Sequence, residues 1–142
     1  MSHAKILSEE DFLQAFDTHA DEVFRHCYLR VGERTSSKQL TSEAYQRLWA
    51  FIVQGNYVDS MQLFLYREIN ALIERMSEPA SLPVELPITL QEWLPERRTL
   101  YILQYVDGFS AKQISMILGG SVRENSLTNS ELSSLVPTLA HA

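Results

Sequence analysis

The chain has 142 residues, 45% of them apolar, which is enough for one ordinary domain or two very small ones. Its net charge of -6, with no net-basic stretch, argues against a free-standing DNA binder, because neutralised phosphates supply most nonspecific affinity. No run approaches the ~18 apolar residues of a membrane span, the opening MSHAKILSEEDF lacks the apolar region of a signal peptide, and the single cysteine, Cys27, excludes an internal disulfide. The expectation is a cytoplasmic protein in a reducing compartment, with no membrane partner.

Helical signals follow one another along the chain. Ser8 and Asp11 form a capping-box pair, and Phe12, Phe16, Val23, Phe24, Cys27, Tyr28 and Val31 recur near helical spacing until Gly32 ends the run. A second helix begins around Ser36 or Ser37, carries Leu40, Ala44, Tyr45, Leu48, Trp49 and Ile52, and stops at Gly55. Asp59 caps a third, which passes through Phe64, Leu65, Ile69 and Leu72 to Met76. The segment EPASLPVELP then places three prolines within ten residues, and each disfavours helix at the residue before it. Pro95 suits the first turn of a further helix through Leu100, Ile102, Leu103 and Val106, which Asp107 and Gly108 end. Ser110 and Gln113 make another capping box, leading through Ile114, Ile117 and Leu118 to a stop at Gly119 and Gly120. The predicted fold is all-α: an N-terminal helical bundle over residues 1–78, a proline-containing linker over 79–89 and a small C-terminal helical unit over 90–142.

Few residues suggest chemistry. His19, Glu22 and His26 share a helical face at metal-ligand spacing, but with no second cysteine or acidic cage nearby they read as a solvated polar face beside the phenylalanine stripe. Cys27 lies on the apolar stripe and reads as packing. There is no glycine-rich phosphate loop and no Ser-His-Asp arrangement, so no catalytic residue, metal or cofactor is expected.

Taken in order, several pieces resemble one family. VFRHCYLRVGERTSSKQLTSEAYQRLWAFIVQG and LFLYREINALIERM look like region 2 of the extracytoplasmic-function sigma factors of the sigma-70 family. WLPERRTLYILQYVDGFSAKQISMILGGS looks like the start of their region 4. The resemblance runs from about Phe12 to Ser121. It implies a protein that binds core RNA polymerase and promoter DNA, with an anti-sigma factor as a further partner. By position, the polymerase-binding residues are Gln39, Leu40, Ser42, Glu43 and Tyr45, with Trp49 as the core anchor of that helix. The surface for the promoter's -10 element falls on Tyr66, Arg67, Asn70 and Arg75. In the helix-turn-helix, Lys112 and Gln113 open the front helix, and Ser121, Arg123 and Asn125 belong to the reading side.

The chain also departs from the family. Where the family reads roughly A-E-D-L-x-Q-E, this chain has Ser37-Lys38-Gln39-Leu40-Thr41-Ser42-Glu43. Glu68 puts an acid near the DNA-facing surface, and SEPAS stands where a basic tail belongs. A reading helix starting at Ser121 would present Val122, Asn125, Ser126 and Asn129 inward, a polar face that cannot pack. Thr128 and Glu131 form a capping box, followed by Leu132, Leu135, Val136 and Leu139. The final helix is therefore expected near Thr128, with Arg123 and Asn125 on a loop. The alternative to a working sigma factor is a sigma-like interaction protein that binds polymerase or an anti-sigma factor without reading DNA.

Overall fold

The structure is a computed structural model that describes residues 7–76, 94–120 and 127. Every regular element among them is helical, and no described helix is long and apolar enough to cross a membrane. The expected linker at 79–89, and the choice between Ser121 and Thr128 for the final helix, lie outside the described residues.

Helix α1 (Glu9–Val31) begins as its sequence dictates. The Ser8 hydroxyl accepts from the Asp11 amide at 3.2 Å, and the Asp11 carboxylate accepts from the Ser8 amide at 2.9 Å. Glu9, Glu10 and Asp11 complement the positive end of the helix dipole. Gly32 ends the helix in a left-handed conformation, φ 74°, its amide donating to the Tyr28 carbonyl at 2.8 Å.

That tight exit starts α2 (Arg34–Val53) earlier than Ser36 or Ser37, with Glu33 at the N-cap. Ser37 does not cap from outside. It sits buried in the first turn, its hydroxyl donating to the Glu33 carbonyl at 2.6 Å. Gly55, at φ 87°, follows the end of α2 as expected. Helix α3 (Met61–Glu74) is capped by Ser60 rather than Asp59, because the Ser60 hydroxyl is the group that accepts from the Leu63 amide, at 3.1 Å. It ends two residues short of Met76, with Arg75 at the C-cap.

Pro95 opens α4 (Pro95–Tyr101), which widens into a π-helical turn over Ile102–Val106. There the Asp107 amide donates to the Ile102 carbonyl at 2.9 Å, five residues back. Helix α5 (Ala111–Leu118) carries the expected capping box between Ser110 and Gln113. Gly108, Gly119 and Gly120 all take positive φ, consistent with the two stops read from the sequence.

Residues from both sides of the linker enter one core. Val23, Leu48, Leu65 and Ile69 from the first three helices join Leu103 of the π turn, Phe109 of the connection after it and Ile114 of α5, all within 5% exposure. Leu48 is completely buried, whereas Trp49, the expected core anchor, is only half-buried and lies at a surface groove. Leu48→Ala is expected to cost about 2–5 kcal/mol, because it removes a buried side chain and leaves a cavity. Urea unfolding checks this, and a loss below about 1 kcal/mol would place Leu48 outside the cooperative core.

Candidate functional site

Two surfaces and one buried contact carry the residues singled out in the sequence. The first surface is a groove of about 890 Å³ between α1 and α2. Its floor is aromatic: Phe12 lies 5.1 Å from Trp49 and Phe16 lies 4.9 Å from Tyr45, ring centre to ring centre. The phenylalanine stripe of α1 therefore divides. Val23, Cys27 and Val31 enter the core, while Phe16 stays 45% exposed and its neighbour Leu13 51% exposed. Exposed apolar residues that adjoin on a helix face mark a docking surface more often than scattered ones do.

The five expected polymerase-binding residues also divide. Gln39, Ser42 and Glu43 are exposed on α2, and Ser42 lines the groove. Leu40 and Tyr45 are buried, and the Tyr45 hydroxyl donates to the Ala15 carbonyl at 3.3 Å, tying α2 to α1. Leu40 and Tyr45 thus support the helix whose outer face carries the other three.

The second surface is α3, where the structure separates the four expected DNA-facing residues. Arg67 and Arg75 are exposed. Tyr66 is completely buried, its ring meeting Phe109 edge-on at 4.7 Å. Asn70 is 5% exposed, accepting from Arg30 at 2.9 Å and donating to Glu74 at 3.3 Å. Glu68 forms an ion pair with Arg47 of α2 at 3.6 Å. Lys112 is exposed in the first turn of α5, while Ser121, Arg123 and Asn125 lie outside the described residues.

The buried contact was not anticipated. The solvated face expected for His19, Glu22 and His26 does not hold together, because the structure splits that trio. His19 Nδ1 contacts Glu22 Oε1, and Glu22 also accepts from Gln62 of α3 at 3.0 Å. His26 turns inward instead, to 1% exposure, and its Nδ1 lies 2.8 Å from Asp107 Oδ2. Asp107, whose side chain is fully buried, has Arg25 Nη2 at 3.5 Å from its other oxygen, and Arg25 also reaches the Val106 carbonyl at 3.4 Å. Among the described residues, His26 Nε2 and Asp107 Oδ1 make no hydrogen bond, and neither does the buried Tyr66 hydroxyl. No group of three or more potential metal ligands occurs among the described residues.

Electrostatics follow from burial. The His26 pKa lies below the ordinary imidazole value, first because burial disfavours the cation. The hydrogen bond to Asp107 opposes this, while the charges of Arg30 and Arg25 add to it. Burial likewise pushes the Cys27 thiol up to about 12, so Cys27 is inert packing rather than a nucleophile. The sequence cue to the buried pair was thin: a histidine one position from the apolar stripe, and an aspartate that also reads as a turn residue.

No family model matches the chain, and no curated protein matches it. Solved structures do match. One is a chain of the RsbN-BldN complex, 22% identical, covering 93% of this chain and 91% of that chain with a TM-score of 0.42.

The lowered His26 pKa sets a pH dependence. The folded state holds His26 neutral to a lower pH than the unfolded chain, which takes up a proton as the pH falls below 6.5. Stability is therefore full above that pH and falls as the pH drops, by up to about 1.4 kcal/mol per unit for this one group. Urea midpoints between pH 7.5 and about 5 should show the slope, and His26→Gln should flatten it. An unchanged slope in the variant would assign the effect to other groups.

Proposed function

We propose that this chain is a sigma-type protein of transcription initiation, docking on core RNA polymerase through the α1–α2 side of its bundle and meeting promoter DNA within the holoenzyme. The observation that carries the reading is the pairing of motif and surface on α2. Gln39, Ser42 and Glu43, placed by the resemblance at the polymerase contact, lie on an exposed helix face beside the apolar groove. A partner helix can set apolar residues against Leu13, Phe16 and Trp49 while its polar flank meets Ser42 and Gln46. The net charge of -6 fits DNA contact made only with the polymerase's help.

A second reading has a specific observation in its favour. Tyr66 and Asn70 are buried and Glu68 is paired with Arg47, so little of the α3 surface is available to DNA in this arrangement. In that reading the chain occupies polymerase, or an anti-sigma factor, without reading a promoter. Promoter opening by the reconstituted holoenzyme separates the two.

The double substitution Ser42→Arg with Glu43→Arg is expected to weaken capture by core polymerase at least tenfold. Both side chains are exposed, so the melting temperature should stay within a few degrees of the parent. Pull-down with purified core polymerase, beside a thermal melt, checks this. Undiminished capture by a folded double variant would remove α2 from the interface.

A further inference from the structure

Helix α5 and Phe109 just before it lie across the face of α3 that the resemblance assigns to the promoter's -10 element. Phe109 packs on Tyr66, and Ile117 and Met116 of α5 share a cleft of about 600 Å³ with Arg67 and Asn70 of α3. At its other edge the cover is held to α1 by His26 and Arg25, which reach Asp107, and Arg25 also reaches the Val106 carbonyl.

The seam is not built like the rest of the core. A buried polar atom without a partner is destabilising, and most native interiors satisfy nearly all of them. Among the described residues, His26 Nε2 and Tyr66 Oη of this seam are buried without a hydrogen bond, while Asp107 Oδ1 has only the Arg25 guanidinium at 3.5 Å. Phenylalanine would fill the place of Tyr66 against Phe109 and leave no orphan hydroxyl. Violations gathered at one contact point to a surface used in a second state. An exposed tyrosine beside an asparagine and an arginine suits unpaired bases: the ring can stack, the amide can bond a base edge, and the guanidinium can meet phosphate.

We propose that the C-terminal helices, latched by His26 and Asp107, are an autoinhibitory cover over α3, and that releasing them exposes Tyr66, Arg67 and Asn70 to single-stranded DNA. This rests on the proposed function for its choice of ligand, while the closure itself rests on the contacts. Opening breaks no covalent bond. It exchanges the His26–Asp107 hydrogen bond and the Phe109–Tyr66 contact for water or for bases.

The test uses the full-length chain, a fluorescent 20-nucleotide single strand and three variants. Asp107→Asn weakens the latch. Ile117→Asp prises α5 from α3 without adding a positive charge. Asp17→Asn, on the exposed face of α1, matches the charge change of the first variant. Small-angle scattering should show a larger radius of gyration for Asp107→Asn and Ile117→Asp, with helical circular dichroism largely kept. Their affinity for the strand should rise at least tenfold over the parent and over Asp17→Asn. Adding Tyr66→Ala should reverse the gain. Opened variants that bind within twofold of the parent would overturn the proposal, and so would variants that stay closed. If they lose helical signal throughout, the cover is part of an inseparable core and the proposal also falls. Capture by core polymerase is measured in parallel. Its absence from the parent would defeat the sigma-type reading, while the scattering and DNA results would still decide the cover.

Discussion

A carboxylate and an imidazole, both out of water, set the terms for this fold. Isolating either in a protein interior costs several kcal/mol, and the cost is recovered only when the two meet in good geometry. His26 and Asp107 do so across a sequence separation of 81 residues. The contact fixes the end of the π turn against the C-terminal half of α1, and from there Phe109 and α5 are directed onto α3. The π turn takes part in this placement. It closes on the Asp107 amide and so sets the position of the residue whose carboxylate reaches His26. Apolar burial supplies the driving force, but it is non-directional, and the polar pair selects one docking among those the apolar surfaces allow.

The two sides of the bundle have opposite consequences for function. On the α1–α2 side, Leu13 and Phe16 remain exposed above an aromatic floor, beside the polar outer face of α2. On the α3 side, the aromatic and amide groups that could meet bases are turned into the seam. Under the proposed function, one open face and one covered face suit ordered assembly, with a protein partner first and nucleic acid afterwards. The excess of acidic residues acts in the same direction, since it disfavours DNA until a partner supplies positive charge.

Much of the helical layout was legible in the chain. Capping boxes at Ser8 and Ser110 fixed two helix starts, because a hydroxyl three residues ahead of a carboxylate or amide satisfies two orphan amides at once. Gly32 marked a stop because the left-handed turn it makes favours glycine. The misjudged starts have two causes: Ser60 displaced its neighbour Asp59 as the cap, and the tight turn at Gly32 let α2 begin at Arg34 with no side-chain cap. The candidate sites were less legible. Helical spacing places Phe16 on the same stripe as Val23, yet it cannot say where a neighbouring helix stops covering that stripe. Nor can spacing reveal that Tyr66 and Asn70 face another part of the same chain. That depends on a contact between α1 and the end of α4, and no local pattern encodes a pairing at that separation.

The account depends on the energetic coupling of His26 and Asp107, and a double-mutant cycle measures it directly. Unfolding free energies at pH 7.5 for the parent, His26→Ala, Asp107→Ala and the double variant give the interaction energy without apportioning any other contact. The structure predicts that the single losses overlap strongly, with a coupling of at least about 1.5 kcal/mol, because each single variant strands a buried polar partner. Losses that add to within about 0.5 kcal/mol would show two independent residues and contradict the latch.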